Sequence, residues 1–107
     1  MLILHVDDSV DWLENVQRAL IGIVGIELVS VASLSLAVGI HEKRKPDWVI
    51  CDGSIDYSND GIKWAEKLYA QGQKVIILTA RVSFISYVPF LSKYDFSQKG
   101  LSTLLGL

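Results

Sequence analysis

Short apolar runs separated by segments of helical periodicity are the feature that most constrains the fold of this chain. The runs at 2–6, 48–51 and 74–80 are almost wholly apolar. Such runs are typical of strands that are covered on both faces. Between them, apolar residues recur at helical spacing in 10–24 and 61–70. Strands that alternate with helices predict βαβ units, and therefore an α/β fold with a parallel sheet and helices on both of its faces.

The rest of the chain continues this alternation. Residues 26–33 alternate and are rich in β-branched side chains, which predicts a strand, and 34–45 is predicted to be a helix. A helix is predicted over 82–93, although Pro89 interrupts its period, and a fifth strand over 94–98. The chain ends soon afterwards, so the last helix is predicted to be truncated.

Length, charge and composition exclude several classes of protein. The 107 residues fit a single domain, 1–107, and half of them are apolar, which excludes a disordered chain. A net charge of −2 argues against partners such as nucleic acid or a membrane surface. The N-terminus has no basic region of the kind that begins a signal peptide, and the single Cys51 lies in an apolar run. We therefore expect a cytoplasmic protein with a buried thiol.

Polar side chains gather where the predicted strands end. Asp7 and Asp8 follow the first strand, Asp52 ends the third, Thr79 ends the fourth, and Lys99 follows the predicted fifth strand. Ligands of parallel α/β sheets bind outside the carboxyl ends of the strands. We therefore expect these five residues to meet at one edge of the sheet.

Carboxylates brought close together repel one another unless cations neutralise them. A hard divalent cation such as Mg²⁺ and a lysine ammonium both do so. An ionised aspartate beside Mg²⁺, with a hydroxyl and a lysine to contact phosphoryl oxygens, is suited to accepting a phosphoryl group. Taken singly, the same residues have ordinary interpretations: an aspartate pair also suits a helix N-terminus, and Thr79 and Lys99 would be a strand residue and a surface residue.

The ordered set resembles the receiver domain of two-component response regulators over essentially the whole chain, apart from the last helix. The matching pieces are the acidic pair of HVDDS, the aspartate of WVICD, the Thr-Ala of IILTA and the lysine of FSQKG. The resemblance implies a five-stranded parallel sheet in a doubly wound, flavodoxin-like (βα)5 fold with a shortened last helix.

In that family the aspartate at the end of the third strand accepts a phosphoryl group from a sensor histidine kinase or a histidine phosphotransfer protein. Here that residue is Asp52. The resemblance implies that Mg²⁺ would be held by Asp7, Asp8, Asp52 and the backbone carbonyl of Ser54. Such a protein promotes only its own phosphorylation and dephosphorylation.

The resemblance also assigns the residues that would respond to the phosphoryl group. Thr79 and Lys99 would contact its oxygens, and Phe96, three residues before the lysine, would be the aromatic switch. The face formed by helix 4, strand 5 and helix 5 of the family would then bind a downstream protein or form a homodimer. The chain departs from the family where Asp56 replaces a usual proline and where Gly100 follows Lys99.

Two other functions are compatible with the fold. One is a receiver-like interaction module that works without phosphorylation. The other is a phosphohydrolase with an aspartyl nucleophile, but such enzymes need a second aspartate two residues after the nucleophile, where this chain has Ser54.

Overall fold

The computed structural model describes residues 1–81 and 86–107. Its sheet has the strand order β2-β1-β3-β4-β5, and every pairing is parallel. The strands are β1 (Leu2–Val6), β2 (Glu27–Val31), β3 (Trp48–Asp52), β4 (Lys74–Thr79) and β5 (Phe90–Ser92). The second strand lies on one side of β1, and the later strands are added on its other side, as in doubly wound, flavodoxin-like sheets. The predicted fold class is confirmed.

Helices connect the first four strands, and one more follows β5. They are α1 (Val10–Leu20), α2 (Leu34–Arg44), α3 (Asp60–Ala70) and α4 (Gln98–Leu104), and short 3₁₀ turns occupy Ile55–Tyr57 and Lys93–Asp95. The last helix has only 7 residues, which confirms its predicted truncation. No helix within the described ranges has the length and apolar character needed to cross a membrane.

The core lies on both faces of the sheet because successive strand residues point to opposite sides. Under α1 and α4, Ile3 and Ile50 of the sheet pack with Val16 and Leu101 of the helices. Under α2 and α3, the sheet contributes Cys51 among other apolar residues. Burial raises the pKa of the Cys51 thiol, which agrees with its predicted role as a core residue.

The C-terminal part differs from the sequence prediction. Of the predicted helix over 82–93, residues 82–85 lie outside the described part of the chain, and the remainder is wrong because β5 occupies Phe90–Ser92. The carbonyl of Pro89 accepts a hydrogen bond from the Ile77 N–H at 2.9 Å, so the proline leads into a strand and does not interrupt a helix. The strand predicted over 94–98 is also wrong, because a 3₁₀ turn and the start of α4 lie there.

Candidate functional site

Three buried polar residues meet at the carboxyl edge of the sheet. Asp7 follows β1, Asp52 ends β3 and Thr79 ends β4, and their exposed fractions are only 0%, 3% and 1%. The strand register aligns them, because Val6 pairs with Cys51 and Asp52 pairs with Leu78. The parallel sheet therefore brings together residues that are distant in the sequence, as predicted.

The acidic cluster is compact. One carboxylate oxygen from each of Asp7, Asp8 and Asp52 lies within 4.8 Å of the others. Oδ1 of Asp7 accepts a hydrogen bond from the Ser9 N–H at 2.9 Å, and its buried Oδ2 is ion-paired with the Lys93 ammonium at 2.8 Å. Hard divalent cations bind carboxylate oxygens of this kind. This set of three neighbouring carboxylates fits a Mg²⁺ ion.

The loop after β3 is tied to this cluster. The Ser54 N–H donates to Oδ1 of Asp52 at 3.1 Å, and the Asp56 N–H donates to Oδ2 of the exposed Asp8 at 3.0 Å. The Ser54 carbonyl, predicted to bind metal, accepts the Tyr57 N–H at 3.0 Å. A carbonyl oxygen has two lone pairs, so this bond leaves one of them available, and metal binding by Ser54 stays a prediction.

The lysine at the site is Lys93, and this corrects the prediction of Lys99. The Lys93 ammonium lies 2.8 Å from Oδ2 of Asp7 and 3.5 Å from Oδ1 of Asp52, and its side chain is only 9% exposed. Lys99 is instead exposed in the first turn of α4. The physical reason is that β5 ends at Ser92, so the residue that follows the strand is Lys93. The signal for it was an apolar pair, Phe90 and Leu91, separated from Lys93 only by Ser92.

Phe96, the predicted aromatic switch, follows the lysine of the site in the sequence and does not precede it. Phe96 is half-buried and packs edge-to-face on Trp12, with 5.2 Å between the ring centroids. Its predicted role depended on its distance from Lys99. Three residues before Lys93 lies Phe90, at the start of β5, whose exposed fraction is 56%. Phe90 therefore takes the position that the sequence analysis gave to Phe96.

Thr79 lies against the loop that follows the acidic strand β3. Its Oγ1 accepts a hydrogen bond from the Arg81 N–H at 3.0 Å. A Cβ atom at Gly53 would lie 2.8 Å from this oxygen, which is closer than real Cβ contacts allow. Glycine at position 53 is thus what lets the Thr79 hydroxyl sit beside the end of β3.

The electrostatic environment makes Asp52 a weaker acid than usual. Burial and the nearby Asp7 raise the pKa of Asp52 to about 6, although the Ser54 N–H and Lys93 act in the opposite direction. A cation bound among the carboxylates would favour its ionised form. The site thus contains a buried carboxylate, Asp52, near the Lys93 ammonium and the Thr79 hydroxyl. A bound cation would lower the pKa of Asp52 and so complete its ionisation.

His5 lies in β1, two residues before Asp7, so the two side chains are on the same side of the sheet. It is fully buried, and neither ring nitrogen has a hydrogen-bond partner among the described residues. Burial, with a smaller effect from the charge of Lys93, lowers the pKa of His5 to about 3.

Comparisons with known proteins find likeness only among solved structures. Neither the protein-family models nor the curated proteins give a match. Chemotaxis protein CheY4 of Vibrio cholerae is 22% identical with a TM-score of 0.78, and the alignment covers 98% of this chain and 95% of that one. A response regulator receiver protein from Pseudoalteromonas atlantica is 19% identical with a TM-score of 0.80, covering 99% of this chain and 94% of that one.

A third structure extends the likeness to the whole chain. The signal receiver domain of a DNA-binding response regulator from Colwellia psychrerythraea is 14% identical with a TM-score of 0.82, and the alignment covers 100% of this chain and 99% of that domain. The chain therefore has the fold of response regulator receiver domains.

Proposed function

We propose that this protein is a phosphoacceptor receiver that takes a phosphoryl group on Asp52 and signals through a change of conformation. The observation that carries the proposal is the Lys93 ammonium, which contacts both Asp7 and Asp52 at the carboxyl edge of the sheet. An ammonium in this place neutralises the acceptor and can also contact the oxygens of an incoming phosphoryl group.

In the proposed reaction, a carboxylate oxygen of Asp52 attacks the phosphorus of a phosphohistidine on a sensor kinase or phosphotransfer protein. The new O–P bond forms as the P–N bond breaks, and the histidine nitrogen keeps the electron pair of the broken bond. The Lys93 ammonium and the Thr79 hydroxyl stabilise the charge on the transferred oxygens. Mg²⁺, held by Asp7, Asp8, Asp52 and the Ser54 carbonyl, would supply further neutralisation when bound.

The signal would leave through the part of the molecule that holds the lysine. Lys93 directly follows β5, so a shift of its ammonium toward a phosphoryl group pulls on this edge strand. Phe90, Tyr87 and Tyr94 are exposed on or beside β5, and exposed aromatic clusters commonly mark contact sites. We propose that the surface of β5 and α4 binds a downstream protein or a second copy of the chain.

The test is phosphoryl uptake from a small-molecule phosphodonor, followed by intact mass with and without Mg²⁺. We expect a gain of one phosphoryl group that requires Mg²⁺ and is absent in Asp52→Ala. Lys93→Ala should be strongly impaired, whereas Lys99→Ala should behave like the unsubstituted chain. Asp11→Ala removes an exposed carboxylate in the first turn of α1 and is the matched control.

The opposite result would favour the interaction module. If calorimetry shows that Mg²⁺ binds but no phosphoryl group is gained, the acceptor chemistry is refuted and the fold acts by contact alone. Uptake that depends on Lys99 and not on Lys93 would refute the assignment of the lysine while leaving Asp52 as the acceptor.

A further inference from the structure

An aromatic ring contacts Lys93 in addition to its two carboxylate partners. The Lys93 ammonium lies 5.1 Å from the centroid of the Trp12 ring. A cation within about 6 Å of the face of a tryptophan is attracted to it. Trp12 lies in the first turn of α1, so this contact joins the lysine after β5 to the helix that follows β1.

The Trp12 ring is itself held in place. Phe96 meets it edge-to-face, with an interplanar angle of 89° and 5.2 Å between the centroids. The backbone N–H of Trp12 donates to Oγ of Ser9, the residue that caps α1, at 3.4 Å, so the start of the helix that carries the ring is fixed. Phe96, from the loop before α4, is thus the neighbour that orients the ring, while the cap holds the backbone below it.

The three contacts of Lys93 differ in how they respond to other ligands. Asp7 and Asp52 both belong to the carboxylate cluster that fits a divalent cation, and a cation there repels the ammonium. The Trp12 ring has no net charge and no oxygen to offer to such a cation. The ring contact is therefore the one that a filled cluster leaves unchanged.

We propose that Trp12, oriented by Phe96, is a positioning residue that keeps the Lys93 ammonium beside Asp52 when the carboxylates are engaged by another ligand. The predicted effect on phosphoryl uptake rests on the proposed function. The predicted restraint of Lys93 does not, because it can be measured without any phosphoryl transfer.

The first measurement is the rate of phosphoryl uptake from a small-molecule donor at saturating Mg²⁺. Trp12→Leu is expected to slow it about three- to tenfold, while Trp12→Phe, which keeps a ring, retains most of the rate. Trp48→Leu is the matched control, since Trp48 also has a lysine above its ring, Lys74 at 5.7 Å, but lies at the opposite end of the sheet. Its uptake should be unchanged.

The second measurement is the acylation rate of single lysines, read by mass spectrometry in the presence of Mg²⁺. The exposed Lys99 gives the rate of an unrestrained ammonium in the same molecule. We expect Lys93 to react more slowly than Lys99 in the unsubstituted chain, and several times faster in Trp12→Leu than in Trp48→Leu. Phe96→Leu should lie between them, because it releases the ring without removing it.

The outcomes separate the two proposals. If Trp12→Leu matches Trp48→Leu in both measurements, Trp12 does not position Lys93 and the inference is overturned, whether or not Asp52 is phosphorylated. If no variant takes a phosphoryl group but Lys93 loses its protection in Trp12→Leu, the positioning stands and the proposed function fails. Should thermal unfolding show that Trp12→Leu does not fold, Phe96→Leu decides: Lys93 protection equal to that of the unsubstituted chain in this variant overturns the inference.

Discussion

Burial shifts the pKa values of two residues in neighbouring strands, His5 in β1 and Asp52 in β3, in opposite directions. The pKa of His5 falls to about 3 and that of Asp52 rises to about 6, because burial disfavours the charged form of each. Their contributions to stability therefore change with pH in opposite directions. Variants that remove one group at a time separate them.

We predict that His5→Leu makes the protein less sensitive to acid. The unfolded chain binds a proton at His5 near pH 6.5 while the folded chain does not, so this residue costs stability as the pH falls from 6.5 toward 3. The slope is at most about 1.4 kcal/mol per pH unit. In urea unfolding, His5→Leu should gain stability over the unsubstituted chain between pH 7 and pH 5. Parallel pH profiles for the two proteins would contradict this.

A second residue-scale prediction concerns the contact between Gly53 and Thr79. Gly53→Ala would place a Cβ atom 2.8 Å from Oγ1 and 2.9 Å from Cβ of Thr79, so the threonine must move. We expect a loss of about 1–3 kcal/mol in the free energy of unfolding. Gly39→Ala in α2, which meets nothing within 4 Å, is the control and should add up to about 1 kcal/mol. Equal changes in the two variants would show that the contact is not restrictive.

Four site residues, Asp7, Asp8, Asp52 and Thr79, were predictable from the sequence because each ends or follows an apolar run that is recognisable as a strand. The same rule failed for the lysine. The strand before Lys93 has only 3 residues, which is too short to show the periodicity of a strand or of a helix. The lack of a hydrogen-bond partner for the His5 ring among the described residues could not be predicted from the sequence either, because it depends on what packs around the strand.

Among the elements, α4 depends most on its packing. A helix of 7 residues is not stable alone, so its stability must come from the side chains it buries. Those are Leu101 at 0% and, just beyond the helix, Leu105 at 3% exposure, both in the cluster with Ile3 and Val16. The last helix is short but completes the core on its side of the sheet.

We therefore predict that Leu101→Ala costs about 2–5 kcal/mol in the free energy of unfolding. The matched control is Leu36→Ala on α2, because that side chain is 58% exposed and its removal leaves no cavity. It should change stability by less than about 0.5 kcal/mol. A small effect of Leu101→Ala in denaturant titration would mean that α4 does not contribute to the cooperative core.

The elements that sequence reasoning placed well are those with long periodic segments or uninterrupted apolar runs, such as β1, β4 and α3. The errors all follow from Pro89. It was interpreted as a break within a helix, whereas its carbonyl already pairs with β4. A proline before a short apolar pair is compatible with both interpretations, and only the pairing of β4 with β5 distinguishes them.

For the molecule as a whole, Mg²⁺ should stabilise the fold. A ligand that binds only the folded state adds about 2.7 kcal/mol at a concentration 100 times its dissociation constant. We expect the melting temperature to rise with Mg²⁺ concentration in the unsubstituted chain and in Asp11→Ala. The rise in melting temperature should be much smaller in Asp52→Asn, because an asparagine side chain offers the ion no negative charge. Equal responses in all three would place the ion elsewhere.

The same variant gives an expectation without metal. The folded-state pKa of Asp52 lies above its ordinary value of 3.8, so the stability it contributes below that value is lost as the pH rises through about 6. Without Mg²⁺, Asp52→Asn should therefore gain stability relative to the unsubstituted chain between pH 4 and pH 7. A relative loss over this interval in urea unfolding would show that the ionised Asp52 is favoured by its surroundings.

The ion pairs of Lys93 help to set the net charge that this edge of the sheet offers to an approaching partner. With three carboxylates ionised and one ammonium among them, the cluster carries two net negative charges, so a divalent ion brings it to neutrality and a monovalent ion does not. A neutral cluster attracts or repels an approaching partner only weakly, and salt screens what remains of its field beyond a Debye length of about 8 Å. A phosphoryl group carries about 1.5–2 negative charges but replaces the single charge of the Asp52 carboxylate, so its arrival adds about 0.5–1 negative charge and gives this edge a net charge again.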